Sequence, residues 1–202
     1  MITVHHSAFT RSVRVVWLLE ELGVPYRIEL VNFSFKARMS PEYLRVHPLG
    51  QLPALDDDDV HMFESGAIVE YLVERYDTGK LAPKVGSPER AVFLQWCHFA
   101  EASLMREMGD IMKHRFLLPE PKRIAPMVDY ARNEFRRRLA VLETALGERE
   151  HILAQGFSAA DIMLDYPLML AERAQELPEE FPKVRAYHAR LKQRPGYQKA
   201  LG

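Results

Sequence analysis

Cysteine is nearly absent: the 202 residues hold one, Cys97, which excludes an internal disulfide and agrees with a reducing compartment. Charge of one sign is not in surplus either, with Lys+Arg 27 against Asp+Glu 28 and a net charge of -1. That balance excludes a strong field for nucleic acid or an anionic membrane surface and leaves a small molecule or a protein as the expected partner. No run approaches the roughly 20 apolar residues that span a bilayer. The start, "MITVHHSAFT", lacks the basic-then-apolar layout of a signal peptide. Internal repeats and low-complexity tracts are missing too. These absences predict a soluble, cytoplasmic protein.

What is present is a core: 48% of the residues are hydrophobic, enough to fold without a partner. The first 76 residues mix periods. "ITVHH" (2 to 6) and "YRIELV" (26 to 31) are strand-like and flank "RSVRVVWLLEELG" (11 to 23), a helix stopped by Gly23 and Pro25. From Val15 to Leu19 that helix is apolar on every side, so it is expected to be packed on more than one face, over a parallel strand pair and under a second domain. "SPEYLRVHP" predicts a short helix with Ser40 as N-cap, Pro41 at its first position and Pro48 ending it. Residues 53 to 56 and 60 to 63 read as an antiparallel hairpin around "DDDD", followed by a helix over 65 to 76.

"DTGKLAPKVGSP" (77 to 88) reads as a linker, and strand signals end there. Helical patterns run through about 88 to 114, 122 to 146, 158 to 174 and 181 to 194. In "FSAADI", Ser158 and Asp161 form a capping box, with Phe157 and Ile162 as hydrophobic staple. The charge shifts as well: residues 1 to 76 carry 7 basic and 11 acidic side chains, and the remainder 20 and 17. The expected organisation is an α/β domain (1-77), a linker (78-87) and an all-α domain (88-202).

"GQLPALDDDDVHMFES" (50 to 65) sets a proline where a strand should begin and ends in Glu-Ser where a helix begins. Taken alone, Pro53 fits a strand start and Glu64-Ser65 a helix cap. The longer stretch "SPEYLRVHPLGQLPALDDDDVHMFESGAIVEYLVERY" resembles the glutathione-binding region of cytosolic glutathione transferases. "TRSVRVVWLLEELGVPY", "QWCHFAEASLM", "FSAADIML" and "FPKVRAYHARLKQRPGYQKAL" resemble the bacterial and fungal members with an SRSxRVLWLLEELG-type first helix. The resemblance implies a thioredoxin-like α/β domain, an all-α domain, a homodimer, glutathione as co-substrate and a detoxifying transferase. It makes Pro53 a cis-proline, sets Gln51 and the Leu52 backbone against the cysteinyl-glycine part of glutathione, and puts Glu64 and Ser65 on its γ-glutamyl end.

Such a transferase must favour a thiolate, because a free thiol with a pKa near 8.5 is mostly protonated at neutral pH. The loop "HSAFTRS" (6 to 12) is the place for a donor. The family's usual serine falls on Phe9, which has none. Thr10 is then the first candidate, Ser12 the second and Ser7 the fallback, with Arg11 adding positive charge or pairing with a carboxylate. A serine at position 12, near where cysteine-type members align their cysteine, argues against a mixed disulfide with the protein. For the electrophile, helical spacing sets Phe99, Ser103 and Arg106 on one side with Trp96 close by, to combine with Phe9. Conjugation to an apolar electrophile or reduction of a peroxide follows. The alternative is a ligand carrier or interaction module, which Phe9 keeps open, and glutathione-dependent isomerisation lacks its S-S-C signature. No metal site is expected, since adjacent His5 and His6 on a strand face opposite ways.

Overall fold

The computed structural model describes residues 1–202 and divides into two compact units, Met1–Ala82 with Gln193–Gly202, and Pro83–Lys192. In the first unit, alternation and the Gly23 stop give β1 (Ile2–His6), α1 (Ser12–Leu22) and β2 (Tyr26–Leu30), with Gly23 left-handed as the C-cap. Two short helices, α2 (Phe35–Arg38) and α3 (Pro41–Val46), precede the hairpin β3 (Ala54–Asp57) and β4 (Val60–Phe63), and α4 (Ser65–Tyr76) follows. Ser40 caps α3 by accepting from the Tyr43 N–H, with Pro41 in the first turn. The sheet order is β2-β1-β3-β4, with β1 parallel to β2 and antiparallel to β3. This is a thioredoxin-like mixed sheet.

α1 is buried from Ser12 through Leu19, as its all-round apolar stretch requires. It packs on β1, on α4 and on a further helix, α10 (Pro195–Leu201). Residues 193–202, expected within an all-α domain over 88-202, group with the α/β unit. Three contacts hold α10 there. Arg194 makes a two-pronged pair with Glu21, the Trp17 and Tyr197 rings meet edge to face at 5.1 Å, and Lys199 pairs with Glu20. A Cβ on Gly196 would lie 2.8 Å from the Trp17 ring, closer than real side-chain atoms come. Gly196→Ala should therefore cost about 1–3 kcal/mol of stability, read as a lower denaturant midpoint, because the helix must lift off Trp17.

The segment read as a linker is anchored rather than loose. Asp77 accepts from the backbone N–H groups of Lys80, Leu81 and Ala82, and Leu81 and Ala82 are buried.

The second unit is helical: α5 (Pro88–His98), a π-helical segment (Phe99–Leu104), α6 (Met105–Met112), a second π segment (Lys113–Leu117), α7 (Ala125–Leu146), α8 (Ala159–Arg173) and α9 (Pro182–Leu191). The capping box at Ser158 and Asp161 forms, and Asp161 also accepts from the Ile152 N–H and the Tyr187 hydroxyl, so it ties three segments together. The helix expected over 181 to 194 ends at Leu191. No helix is long and apolar enough to cross a membrane.

Candidate functional site

The sheet register gathers the site. β1 ends at His6, β3 begins at Ala54 opposite His5, and β4 ends at Phe63 opposite Ala54. The loop 7–11 after β1, the turn 50–53 before β3 and the Glu64–Ser65 junction after β4 therefore emerge at one end of the sheet. The N-termini of α1 and α4 lie there too.

The turn leaves Gln51 exposed between buried Gly50 and Leu52. Leu52–Pro53 is a cis peptide bond, and the β3 ladder starts only at Ala54, so the Leu52 backbone stays outside it. Gln51 is exposed, while its carbonyl accepts from the Tyr43 hydroxyl at 2.6 Å. Burial pushes the Tyr43 phenol up to about 12, which keeps it a donor. The carbonyl of Gly50 accepts from Arg38. Gly50 has φ 58°, and a Cβ there would strike the Arg38 carbonyl oxygen at 2.5 Å. Only glycine lets the chain turn at this point.

Glu64 is exposed and has φ 74°, a left-handed conformation that costs a non-glycine residue on the order of 1–3 kcal/mol and concentrates at binding sites. It gives α4 no side-chain cap, so the first-turn N–H groups have no intrahelical acceptor. Ser65, buried at the start of α4, accepts from Nη1 of Arg14 at 3.1 Å. With that guanidinium on its oxygen, Ser65 keeps its own O–H to donate. Free N–H groups, a hydroxyl donor and the positive helix end suit a carboxylate.

The loop holds a second hydroxyl cluster. Thr10 donates to the Ser7 carbonyl at 2.8 Å, lies 2.7 Å from Ser12 Oγ and receives the Ser12 N–H at 3.3 Å. Ser12 Oγ also receives the Ser7 N–H at 3.2 Å and sits 2.7 Å from Nδ1 of His6. Phe9, at φ 62° and exposed, makes the turn that folds Thr10 back onto Ser7. Three of the expected donors thus share one cluster, but not one role. Thr10 and Ser12 are both buried, Ser12 at 0% and Thr10 at 7% exposed, so of the two only Thr10 keeps any surface for a ligand. Ser7 contributes its backbone carbonyl and N–H rather than its hydroxyl. Arg11 is half-buried just before α1.

His5 and His6 do face opposite ways: His5 pairs with Asp56 at 3.0 Å while His6 joins the loop. No group of His, Cys, Asp and Glu side chains is placed to hold a metal ion.

In the helical unit the π segment changes the side chains expected to share a face. Its i to i+5 hydrogen bonds break the i, i+4, i+7 spacing that sets Phe99, Ser103 and Arg106 together. Phe99 and Ser103 are half-buried, Arg106 is exposed, and Trp96 is buried with its ring edge to face on Phe99 at 5.2 Å. The same unit holds an open groove of about 630 Å³ near Arg115, Arg132 and Glu176. Arg115 and Arg132 bind the Glu176 carboxylate, and Arg136, which also lines the groove, pairs with Glu180 at 3.5 Å.

Sequence reasoning missed Arg14 and His6. An arginine inside an apolar helix and a histidine at a strand end carry no motif: Arg14 gains Ser65 only when α4 comes to α1, and His6 gains Ser12 through the turn at Phe9.

Known proteins share this layout. Residues 2–74 match the sequence family of the glutathione S-transferase N-terminal domain, and residues 108–195 that of the C-terminal domain. Glutathione S-transferase 1 of Schizosaccharomyces pombe is 31% identical over 90% of this chain and 86% of its own length. The disulfide-bond oxidoreductase YfcG of Escherichia coli is 29% identical over 100% of this chain and 94% of its own. Among solved structures, the glutathione transferase URE2P6 of Phanerochaete chrysosporium, in complex with oxidized glutathione, superposes with a TM-score of 0.88 at 29% identity. That match covers 98% of this chain and 94% of the other.

Proposed function

Because the chain belongs to the glutathione S-transferase family, we infer that it binds glutathione and conjugates the tripeptide's thiolate to apolar electrophiles, or uses it to reduce a peroxide. The observation that carries this reading is the convergence of a strand-like binding edge, an uncapped helix start and a hydroxyl donor at one end of the sheet. The Leu52 backbone pairs with the extended peptide as an added strand would, with Gln51 beside it. Ser65 and the first turn of α4 receive the γ-glutamyl carboxylate, and exposed Glu64 takes the α-amino group. Thr10 releases the Ser7 carbonyl and turns its O–H to the sulfur, which favours the thiolate. The thiol proton passes to solvent, the sulfur lone pair bonds to the electrophilic carbon, and in a displacement such as that on an aryl chloride the carbon–chlorine bond breaks and chloride leaves to solvent. Arg11 adds positive charge at this end of the sheet.

Within the helical unit, half-buried Phe99 and Ser103 and exposed Arg106 are the groups assigned to the electrophile, with the Trp96 ring edge to face on Phe99, while exposed Phe9 is an apolar group of the α/β unit assigned to the same ligand class. Exposed Leu49 and Phe63 on the first unit suit a homodimer contact, and the charge balance suits a cytoplasmic detoxifying enzyme rather than a membrane or nucleic-acid partner. If the chain instead exchanges disulfides, both reacting sulfurs must come from thiols outside it, since Cys97 is buried.

The test is a glutathione titration by calorimetry together with an activated aryl chloride as electrophile. Saturable binding with conjugation above the uncatalysed rate is expected. Binding without a lowered thiol pKa and without conjugation would leave a ligand carrier.

A further inference from the structure

The Thr10 hydroxyl has two hydrogen-bonding habits open to it, and only one serves a thiolate. If Ser12 donates to Thr10, then Thr10 Oγ1 has both acceptor positions filled, by Ser12 O–H and by Ser12 N–H, and its own proton must point elsewhere. If Ser12 donates to His6 instead, Thr10 is free to spend its proton on Ser12. The direction of the Ser12 proton therefore decides what Thr10 offers.

We propose that His6 is the positioning residue that sets this direction, with Nδ1–H donating to Ser12 Oγ so that Thr10 is held as an outward donor to the glutathione sulfur. Ser12 Oγ accepts from His6 Nδ1–H and from the Ser7 N–H, which fills its acceptor positions. Its proton then goes to Thr10, 2.7 Å away, in preference to the Ser7 carbonyl at 3.2 Å. With no sulfur bound, Thr10 completes the chain by donating to Ser7. When a sulfur is bound, only the last proton of the chain needs to turn. Burial lowers the His6 pKa, so the ring is neutral at pH 7 and the chain works by tautomer rather than by charge. The sequence is His6, Ser12, Thr10, sulfur, and His6 touches no reacting atom.

The inference rests on Thr10 being the donor to sulfur, and the test separates the two. Two variants exploit atom position: in His6→Asn the amide nitrogen falls where Nδ1 was, whereas in His6→Gln it falls where Nε2 was. The thiol pKa of bound glutathione is read from thiolate ultraviolet absorbance, and S-methylglutathione affinity from calorimetry. His6→Asn is expected to keep the thiol pKa within a few tenths of the unaltered protein. His6→Gln should raise it by about one unit, a tenfold loss of thiolate below that pKa, with S-methylglutathione affinity unchanged in both. In the ligand-free protein, nitrogen-15 spectra of the histidine rings should show His6 as the Nδ1–H tautomer.

An Nε2–H tautomer, equal thiol pKa values in the two variants, or loss of S-methylglutathione binding in His6→Asn would each overturn the role of His6. A Thr10→Val protein with an unchanged thiol pKa would overturn the reading beneath it instead.

Discussion

Thr10→Val is expected to lower kcat/KM for conjugation by about 100- to 1,000-fold, the usual loss when one preorganised donor to a developing or resident anion is removed. The loss should fall on kcat and on the thiol pKa, and leave glutathione affinity nearly intact. Valine matches threonine in shape, so the Phe9 turn and the burial of Ser12 persist. The polar cost is small because the Ser7 carbonyl still receives the Thr10 N–H and lies 3.2 Å from Ser12 Oγ. What disappears is the hydroxyl whose acceptor positions Ser12 fills with its O–H and N–H. Bound glutathione should then titrate near the ordinary thiol value of about 8.5. A large rise in KM with kcat unchanged would instead assign Thr10 to binding.

Ser65→Ala should produce the opposite division. It removes a charge-assisted hydrogen bond to a carboxylate, worth about 1.5–3 kcal/mol, or roughly 10- to 150-fold in the dissociation constant for glutathione. It also strips Nη1 of buried Arg14 of its 3.1 Å acceptor, so stability should fall by about 1–3 kcal/mol at the same time. The thiol pKa of whatever glutathione still binds should not move, since Ser65 grips the far end of the peptide. Isothermal calorimetry and chemical denaturation measure the two losses separately. A variant with normal affinity would show that the uncapped N–H groups of α4 hold the carboxylate without the hydroxyl.

Much of this arrangement was legible in the sequence, for identifiable reasons. Strands β1 to β4 alternate or stand beside turn residues, and α3 and α8 carry their start signals in the residues before them. The stretch from Gly50 to Ser65 is contiguous, so its binding elements could be read together.

What was illegible depends on distant backbone. The return of α10 to α1 shows only once Gly196 lies against Trp17, 179 positions apart in the chain. The π segments have no residue signature, because a turn widened by one residue uses the same side chains as an α-helix. Ser12 stood as the second candidate after Thr10, since a spacing of two says nothing about which hydroxyl keeps surface for a ligand. The positive φ at Phe9 decides that, and it also brings Ser12 to His6. Arg14 gains its acceptor only where the N-terminus of α4 supplies Ser65.

One account links the two hydroxyls: each has its oxygen occupied by a donor from within the chain, so each must give its proton to the ligand. The most direct measurement of that claim is the ultraviolet titration of glutathione bound to the unaltered protein. The account predicts a thiol pKa at least about one unit below the free value near 8.5, with binding confirmed by calorimetry on the same samples. Glutathione that binds yet titrates at its free value would contradict it.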